Sequence, residues 1–541
     1  MFVAFVLPLF VVLGLGAPAL AAFRDDCLAL KPEAAVANST GKTLEFVTSG
    51  TSLSFPEQDA SCNRPSQVVQ ADLCRVAMNI TTSARSEVAA EVWLPKDWNG
   101  RVVTVAGGGL DGCIHYEDMA YATANGFAAV GTNNGHAGTT AVQFLDNEDV
   151  VIDFSWRAIH VGVVAGKQLL QPLYRRAATG SYFLGCSLGG RQGIKAADMF
   201  PEDFDGIVAG APAVDFNNLY SHRASFLPRT GPAGSADFIT PEVWKTTIHD
   251  EVLRQCDKID GVEDGIIEDP TLCQFDAGTL LCRDDSAAAA DSAGCLSSEQ
   301  VDIVRGIFSP TRDAQGSLFW PGMNPGSELV TADGLYSGKP WALSQNWFRY
   351  AVYNDPGWDA AGFALERDGV FAERKNPGDV RTNPDDLSAF RDRGGKLLMF
   401  HGQQDQQITS FHTPVFYDRL ARGMGLDRAG MDAFARFFRI SGMNHCSTGP
   451  GAWLVGQGGA AAAVAGNDLP FDRAHSVLAA VVDWVEAGVA PDTVTGTKFV
   501  NDTAGLGVDF QRRHCRYPLR NIYKGDGLDP KKADSWTCTC A

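Results

Sequence analysis

The segment Ser181-Tyr182-Phe183-Leu184-Gly185-Cys186-Ser187-Leu188-Gly189-Gly190-Arg191-Gln192-Gly193 decides the fold. Residues 181–185 form a short apolar run bounded by glycine, which predicts a buried strand. Residues 188–199 carry a helical pattern. Between them, Gly185 to Gly189 fits G-x-S-x-G. A serine on so sharp a strand-to-helix turn takes strained backbone angles, and small residues two before and two after let the chain pass closely. An ordinary glycine-rich turn offers the same five residues. The strand before it and the helix after it point instead to a nucleophile.

Outward from this turn the same rhythm repeats. Residues 102–106, 126–131, 206–210, 396–400 and 437–441 predict strands, and 158–171 and 474–487 predict helices. Alternating strands and helices define an α/β fold with a mostly parallel sheet. The rhythm is lost between about 213 and 385. That stretch holds an acidic loop near 257–269, an Ala/Ser run near 286–294, and 9 aromatic residues between Phe319 and Trp358. It predicts an inserted domain, 213–385, within a discontinuous catalytic domain of 22–212 and 386–541. The Ala/Gly run at 458–466 predicts a loop, and no internal repeat is present.

The chain has 541 residues, 45% of them apolar, enough for a large core. Its formal net charge of −19 gives no global attraction for phosphate backbones or anionic lipid, which argues against a nucleic-acid partner. Residues 1–23 carry no charged side chain. The apolar run, Pro8, Pro18 and the small residues Ala19 and Ala21 predict a cleaved signal peptide, 1–21, rather than a membrane anchor. All 13 cysteines follow it, as an oxidising, extracellular destination would suit. The sequons at Asn38, Asn79 and Asn501 are compatible with glycosylation.

A nucleophilic serine needs a base and an orienting carboxylate, here in the chain order Ser, acid, His. Asp405 follows strand 396–400, and His445 follows strand 437–441, so both loops would lie at the sheet's carboxyl edge beside Ser187. Among the other downstream histidines, His475 is expected on a helix surface and His401 as a packing or hydrogen-bonding residue. The oxyanion needs two backbone N–H donors. Leu188 would supply one, and Gly108 or Gly109, in Gly107-Gly108-Gly109 after strand 102–106, the other. Residues 107–112 also match a dinucleotide fingerprint. The next strand, however, ends in Thr132-Asn133-Asn134 with no acid for a ribose, so no organic cofactor is expected.

Cys186 precedes the proposed nucleophile and Cys446 follows the proposed base. If Ser187 and His445 touch, these cysteines come within bridging range and would clamp the site. The loop Asp257-Lys258-Ile259-Asp260-Gly261-Val262-Glu263-Asp264-Gly265-Ile266 is either a solvated acidic turn or a set of hard oxygens for Ca2+, and its spacing is not that of an EF-hand. Cys256 and Cys273 bracket it.

Residues 185–193, Asp405 and His445-Cys446 together resemble the tannase and feruloyl esterase family. The resemblance extends through 107–113, 132–136, 157–169, 256–270 and 514–527. It implies an α/β-hydrolase core with a large inserted lid domain. It implies a structural calcium in the lid, held by Asp257, Asp260, Asp264 and the carbonyls of Val262 and Ile266. It also implies disulfides Cys27–Cys74, Cys62–Cys113, Cys186–Cys446, Cys256–Cys273, Cys282–Cys295 and Cys515–Cys538. The choice between Cys538 and Cys540 stays open, and the Ala-rich stretch between Cys282 and Cys295 departs from the family pattern.

The function expected from this set is a secreted serine carboxylesterase. By the resemblance, its substrates would be feruloyl or other hydroxycinnamoyl esters of plant cell-wall polysaccharide. Two alternatives are a tannase acting on galloyl esters and a catalytically dead, calcium-stabilised carbohydrate-binding protein. The aromatic segment 319–358 would serve as a stacking surface for a phenolic ring or as lid core.

Overall fold

The computed structural model describes residues 16–283, 294–459, 469–525 and 527–540. Most of the expected leader, the Ala/Ser run and the Ala/Gly loop lie outside the described residues. Among the described residues, no helix is long and apolar enough to cross a membrane.

Nine strands form one sheet: β1 (Ser39–Val47), β2 (Leu73–Thr81), β3 (Glu87–Pro95), β4 (Arg101–Ala106), β5 (Ala128–Thr132), β6 (Gly180–Cys186), β7 (Gly206–Gly210), β8 (Lys396–Gly402) and β9 (Ala435–Ile440). Their spatial order is β1-β2-β3-β5-β4-β6-β7-β8-β9. The first three strands and the β3–β5 pair are antiparallel. From β5 onward every neighbour is parallel. The order reverses around β4, and that crossover places loop ends together at the carboxyl edge.

Helices α1 (Tyr116–Ala124), α2 (Ala158–Tyr174), α3 (Leu188–Met199), α4 (His412–Gly423) and α5 (Val477–Ala487) cover the sheet. Alternation along each strand assigns the two faces. Tyr182 and Leu184 of β6, Val208 of β7, and Leu398 and Phe400 of β8 pack with Met119 of α1 and Leu478 and Val481 of α5. Phe183, Ile207, Leu397 and Met399 point the other way, onto Ile159 and Val163 of α2, Ile194 of α3 and Leu420 of α4. Parallel strands buried on both faces read as continuous apolar runs, which is why these were visible in sequence. The helix expected from 474 begins at Val477 with Ser476 as its N-cap, so His475 lies before it, bonded to Asp472.

The segment between β7 and β8 adds no described strand to this sheet. Part of it has a core of its own, built from Phe226, Ile239, Trp244, Val252, Ile267, Val304 and Tyr336. Trp320, Trp347 and Phe348 belong to another core, which joins this segment to Phe144 and Phe154 of the sheet-bearing part. The aromatic stretch is therefore largely packed interior. All six expected disulfides are formed, including Cys282–Cys295 and Cys515–Cys538. Cys540 is the exposed free thiol.

Candidate active site

Ser187 sits between β6 and α3 with φ 63° and ψ −119°, the strained turn expected of it. The turn is enforced from both sides. Ser187 N–H donates to Gly210 O of β7 at 2.9 Å, and Gly189 N–H donates to Gly107 O beyond β4 at 2.8 Å. A side chain at Gly189 would strike Ala106 O at 2.6 Å, and one at Gly185 would strike Gly189. The two glycines of the motif are thus dictated by close approach.

Asp405 and His445 meet directly. Asp405 Oδ2 lies 2.7 Å from His445 Nδ1, while Asp405 Oδ1 accepts from Gln407 N at 2.7 Å and Ile408 N at 2.8 Å. Asp405 is fully buried. Burial raises its pKa, but the His445 and His401 imidazoles, by charge and hydrogen bond, hold it below the ordinary carboxylate range. His445 N–H donates to Gln406 Oε1 at 2.9 Å, which fixes the histidine loop to the acid loop. Cys186 and Cys446 are bridged with Cα atoms 6.1 Å apart, so the nucleophile turn and the histidine loop are covalently joined.

Ser187, His445, Gly107, Gly108, Gly109 and Leu343 line one cavity of about 710 Å³. A side chain on Gly108 would meet Ser187 Cβ at 3.8 Å, whereas one on Gly109 would meet Leu343. Gly108 is therefore the glycine beside the serine. Leu188 is the first residue of α3, where a backbone N–H has no intrahelical acceptor. The cavity's lining also includes the polar residues Arg64, Asp111, His115, Glu117 and Asp118. Of the aromatics in 319–358, none lines this cavity, so the stacking-surface expectation is not met there.

His401 is the hydrogen-bonding residue expected of it, and its partner is the same Asp405 oxygen, to which it donates at 3.0 Å. Sequence reasoning missed two other features. Gln406 gave no motif signal. Arg64 comes from the region before residue 100, where no element was predicted.

The acidic loop folds on its own carboxylates. Asp257 accepts from Asp264 N and Gly265 N, Asp260 Oδ1 from Val262 N, and Asp264 Oδ1 from Ile266 N. Arg512 bonds Asp264 at 2.7 Å and Glu268 at 2.8 Å. Asp260 Oδ2 is buried without a partner among the described residues. Burial, with the charges of Glu268 and Asp264, pushes the Asp260 carboxyl up to about 7, against the Val262 hydrogen bond. The orphaned Asp260 oxygen, among acidic side chains and backbone carbonyls, would suit a hard divalent cation, although Arg512 already holds one oxygen of Asp264.

A strained serine at the carboxyl edge of this sheet, with acid and histidine loops after later strands, marks the α/β-hydrolase class, and the chain is a carboxylic ester hydrolase. The model of the family described as tannase and feruloyl esterase matches residues 74–539. The chain belongs to that family. It is 54% identical over 498 residues to a probable feruloyl esterase B-2 of Aspergillus flavus, covering 92% of this chain and 94% of that protein. It is 44% identical over 535 residues to a probable feruloyl esterase B of Aspergillus clavatus, covering 98% and 99%. Among solved structures, feruloyl esterase B from Aspergillus oryzae superposes with a TM-score of 0.89 at 42% identity, over 96% of this chain and all of that one. Tannin acyl hydrolase from Aspergillus niger shares the fold, with a TM-score of 0.74 at 21% identity and 96% of both chains covered.

Proposed function

We propose that the protein is a secreted serine esterase that hydrolyses feruloyl and related hydroxycinnamoyl esters of plant cell-wall polysaccharides, releasing ferulic acid. The observation that carries this is that His445, hydrogen-bonded to the buried Asp405, lines the same cavity as a strained Ser187, in a chain 54% identical to a probable feruloyl esterase.

Ser187 Oγ attacks the ester carbonyl carbon. With Nδ1 engaged by Asp405, His445 takes the serine proton on Nε2. Leu188 N–H and a glycine N–H, Gly108 by proximity, hold the developing oxyanion. His445 then gives the proton to the departing alcohol, and water repeats the sequence to release the acid. Residues 22–212 and 386–541 would form the catalytic domain, and 213–385 the lid. Asp257, Asp260, Asp264 and the carbonyls of Val262 and Ile266 would hold a structural Ca2+, supplying charge compensation to the loop and no chemical step. Asn38 and Asn501 are exposed and Asn79 is half-buried, so the three sequons suit glycosylation of a secreted chain, with the leader removed.

Turnover of methyl ferulate and methyl gallate tests the substrate. Ferulate is expected to be preferred, and preference for gallate would sink the assignment. Ser187→Ala is expected to lower kcat by about 10⁵-fold or more. An unchanged rate would exclude the serine mechanism.

A further inference from the structure

We propose that His115 is a positioning residue for ester hydrolysis: through the Asp111 carboxylate it holds the glycine loop 107–109 in place against Ser187. The proposal rests on that loop being the oxyanion site.

Three consecutive glycines have more backbone freedom than any other tripeptide. An oxyanion donor works only within about 2.7–3.1 Å of where the charged oxygen will be. Such a loop needs a brace from outside, and the structure contains one. His115 Nε2 lies 2.6 Å from Asp111 Oδ2. The imidazole occupies the space a side chain at Gly107 would need, because a Cβ there would fall 2.0 Å from Nε2. On its other side Gly107 O accepts from Gly189 N, so the residue is held between the ring and the nucleophile turn. Asp111 N–H donates to Gly108 O at 3.1 Å and closes the loop. The Asp111 carbonyl accepts from Asn134 at 2.7 Å, and Asn134 in turn accepts from Gln192 of α3 at 2.9 Å.

The brace is itself anchored. Arg64 Nη2 lies 3.2 Å from His115 Nδ1, and Arg64 Nε donates to both Glu117 oxygens at 2.8 and 2.9 Å. Arg64 Nη1 donates to the carbonyl of Cys62, whose disulfide to Cys113 fixes the start of this segment. A continuous series of contacts therefore runs from Glu117 through Arg64 and His115 to Asp111 and Gly108. A guanidinium can only donate, so His115 Nδ1 accepts from Arg64 and the ring's proton sits on Nε2, facing Asp111.

The test compares His115→Ala, Asp111→Ala, the double variant, His115→Gln and Asp111→Asn on an aryl ester. It also measures affinity for phenylboronic acid, which forms a tetrahedral adduct with an active serine, and for free ferulate. Removing either partner is expected to lower kcat about 10- to 100-fold with KM within threefold. Boronate affinity should fall in step, and ferulate affinity should hold. The double variant should lose no more than the worse single one. His115→Gln keeps a donor and Asp111→Asn keeps an acceptor, so both should stay within about fivefold of wild type; they carry the test if the alanine variants fail to fold. A folded His115→Ala with kcat within twofold of wild type would overturn the proposal, as would a loss confined to KM or unaltered boronate affinity. Failure of the underlying function would look different: the wild-type protein itself would neither cleave the aryl ester nor bind the boronate, and both assignments would fall.

Discussion

His401 and His445 converge on one oxygen: Asp405 Oδ2 is 3.0 Å from His401 Nε2 and 2.7 Å from His445 Nδ1. His401 is fully buried, and its Nδ1 lies 2.7 Å from Thr413 Oγ1. The ring therefore fixes which face Asp405 offers to His445. His401→Leu should lower stability by about 2–4 kcal/mol, because a buried carboxylate loses a donor. It should also lower kcat about tenfold with KM nearly unchanged. Steady-state kinetics beside thermal unfolding check this; a lowered melting temperature with intact kcat would leave His401 a packing residue.

Three other buried histidines are neutral in the fold. Burial, ahead of nearby positive charge, depresses His222 well below its usual value and His412 to about 3. His514 is lowered to about 3 by burial, which outweighs its bond to Ala452 O. Unfolding restores a pKa near 6.5, so between about 6.5 and 3 the unfolded chain binds more protons. Stability should be full above pH 6.5 and fall on acidification by up to about 1.4 kcal/mol per pH unit for each histidine. Urea unfolding at pH 7 and 4.5 measures the slope, and His412→Leu should flatten it.

The Cys186–Cys446 bridge closes a loop of 260 residues. In the chain-entropy model its removal costs up to about 5 kcal/mol. Replacing both cysteines by serine should lower the melting temperature and reduce kcat further than KM changes, because Ser187 and His445 lose their shared tether. An unaltered kcat would show that packing alone aligns them.

Calcium should act on stability. After chelation, the melting temperature is expected to fall and to recover on adding Ca2+, while Asp260→Ala should abolish the response. Terbium luminescence in the wild type, absent in the variant, gives a second readout. A melting temperature indifferent to chelator would argue for a plain acidic turn.

The parallel half of the sheet was legible because strands buried on both faces read as apolar runs: Val102 to Ala106, Ser181 to Gly185 and Lys396 to Phe400 all came out as strands. Ser187, Asp405 and His445 followed from their places after those strands. β2 and β3 were hidden. In β2 the buried Val76, Met78 and Ile80 do alternate with Arg75, Ala77 and Asn79, but only over a short stretch; in β3 the buried Glu91, bonded to Arg75 at 2.7 and 2.8 Å, interrupts the apolar run. His401 and His115 look like ordinary polar residues in sequence. Their roles depend on contacts to Asp405 and Asp111 that only the folded loops create.

The register that pairs Ala209 with Met399 joins positions about 190 residues apart. During synthesis, β7 leaves the ribosome long before β8 exists to lie beside it. Cys186 is likewise made well before Cys446. A nascent chain stalled anywhere in the inserted segment would carry the serine without acid, histidine or tether. Hydrolytic competence is thus withheld until translation is nearly complete, and premature termination yields no partly active fragment.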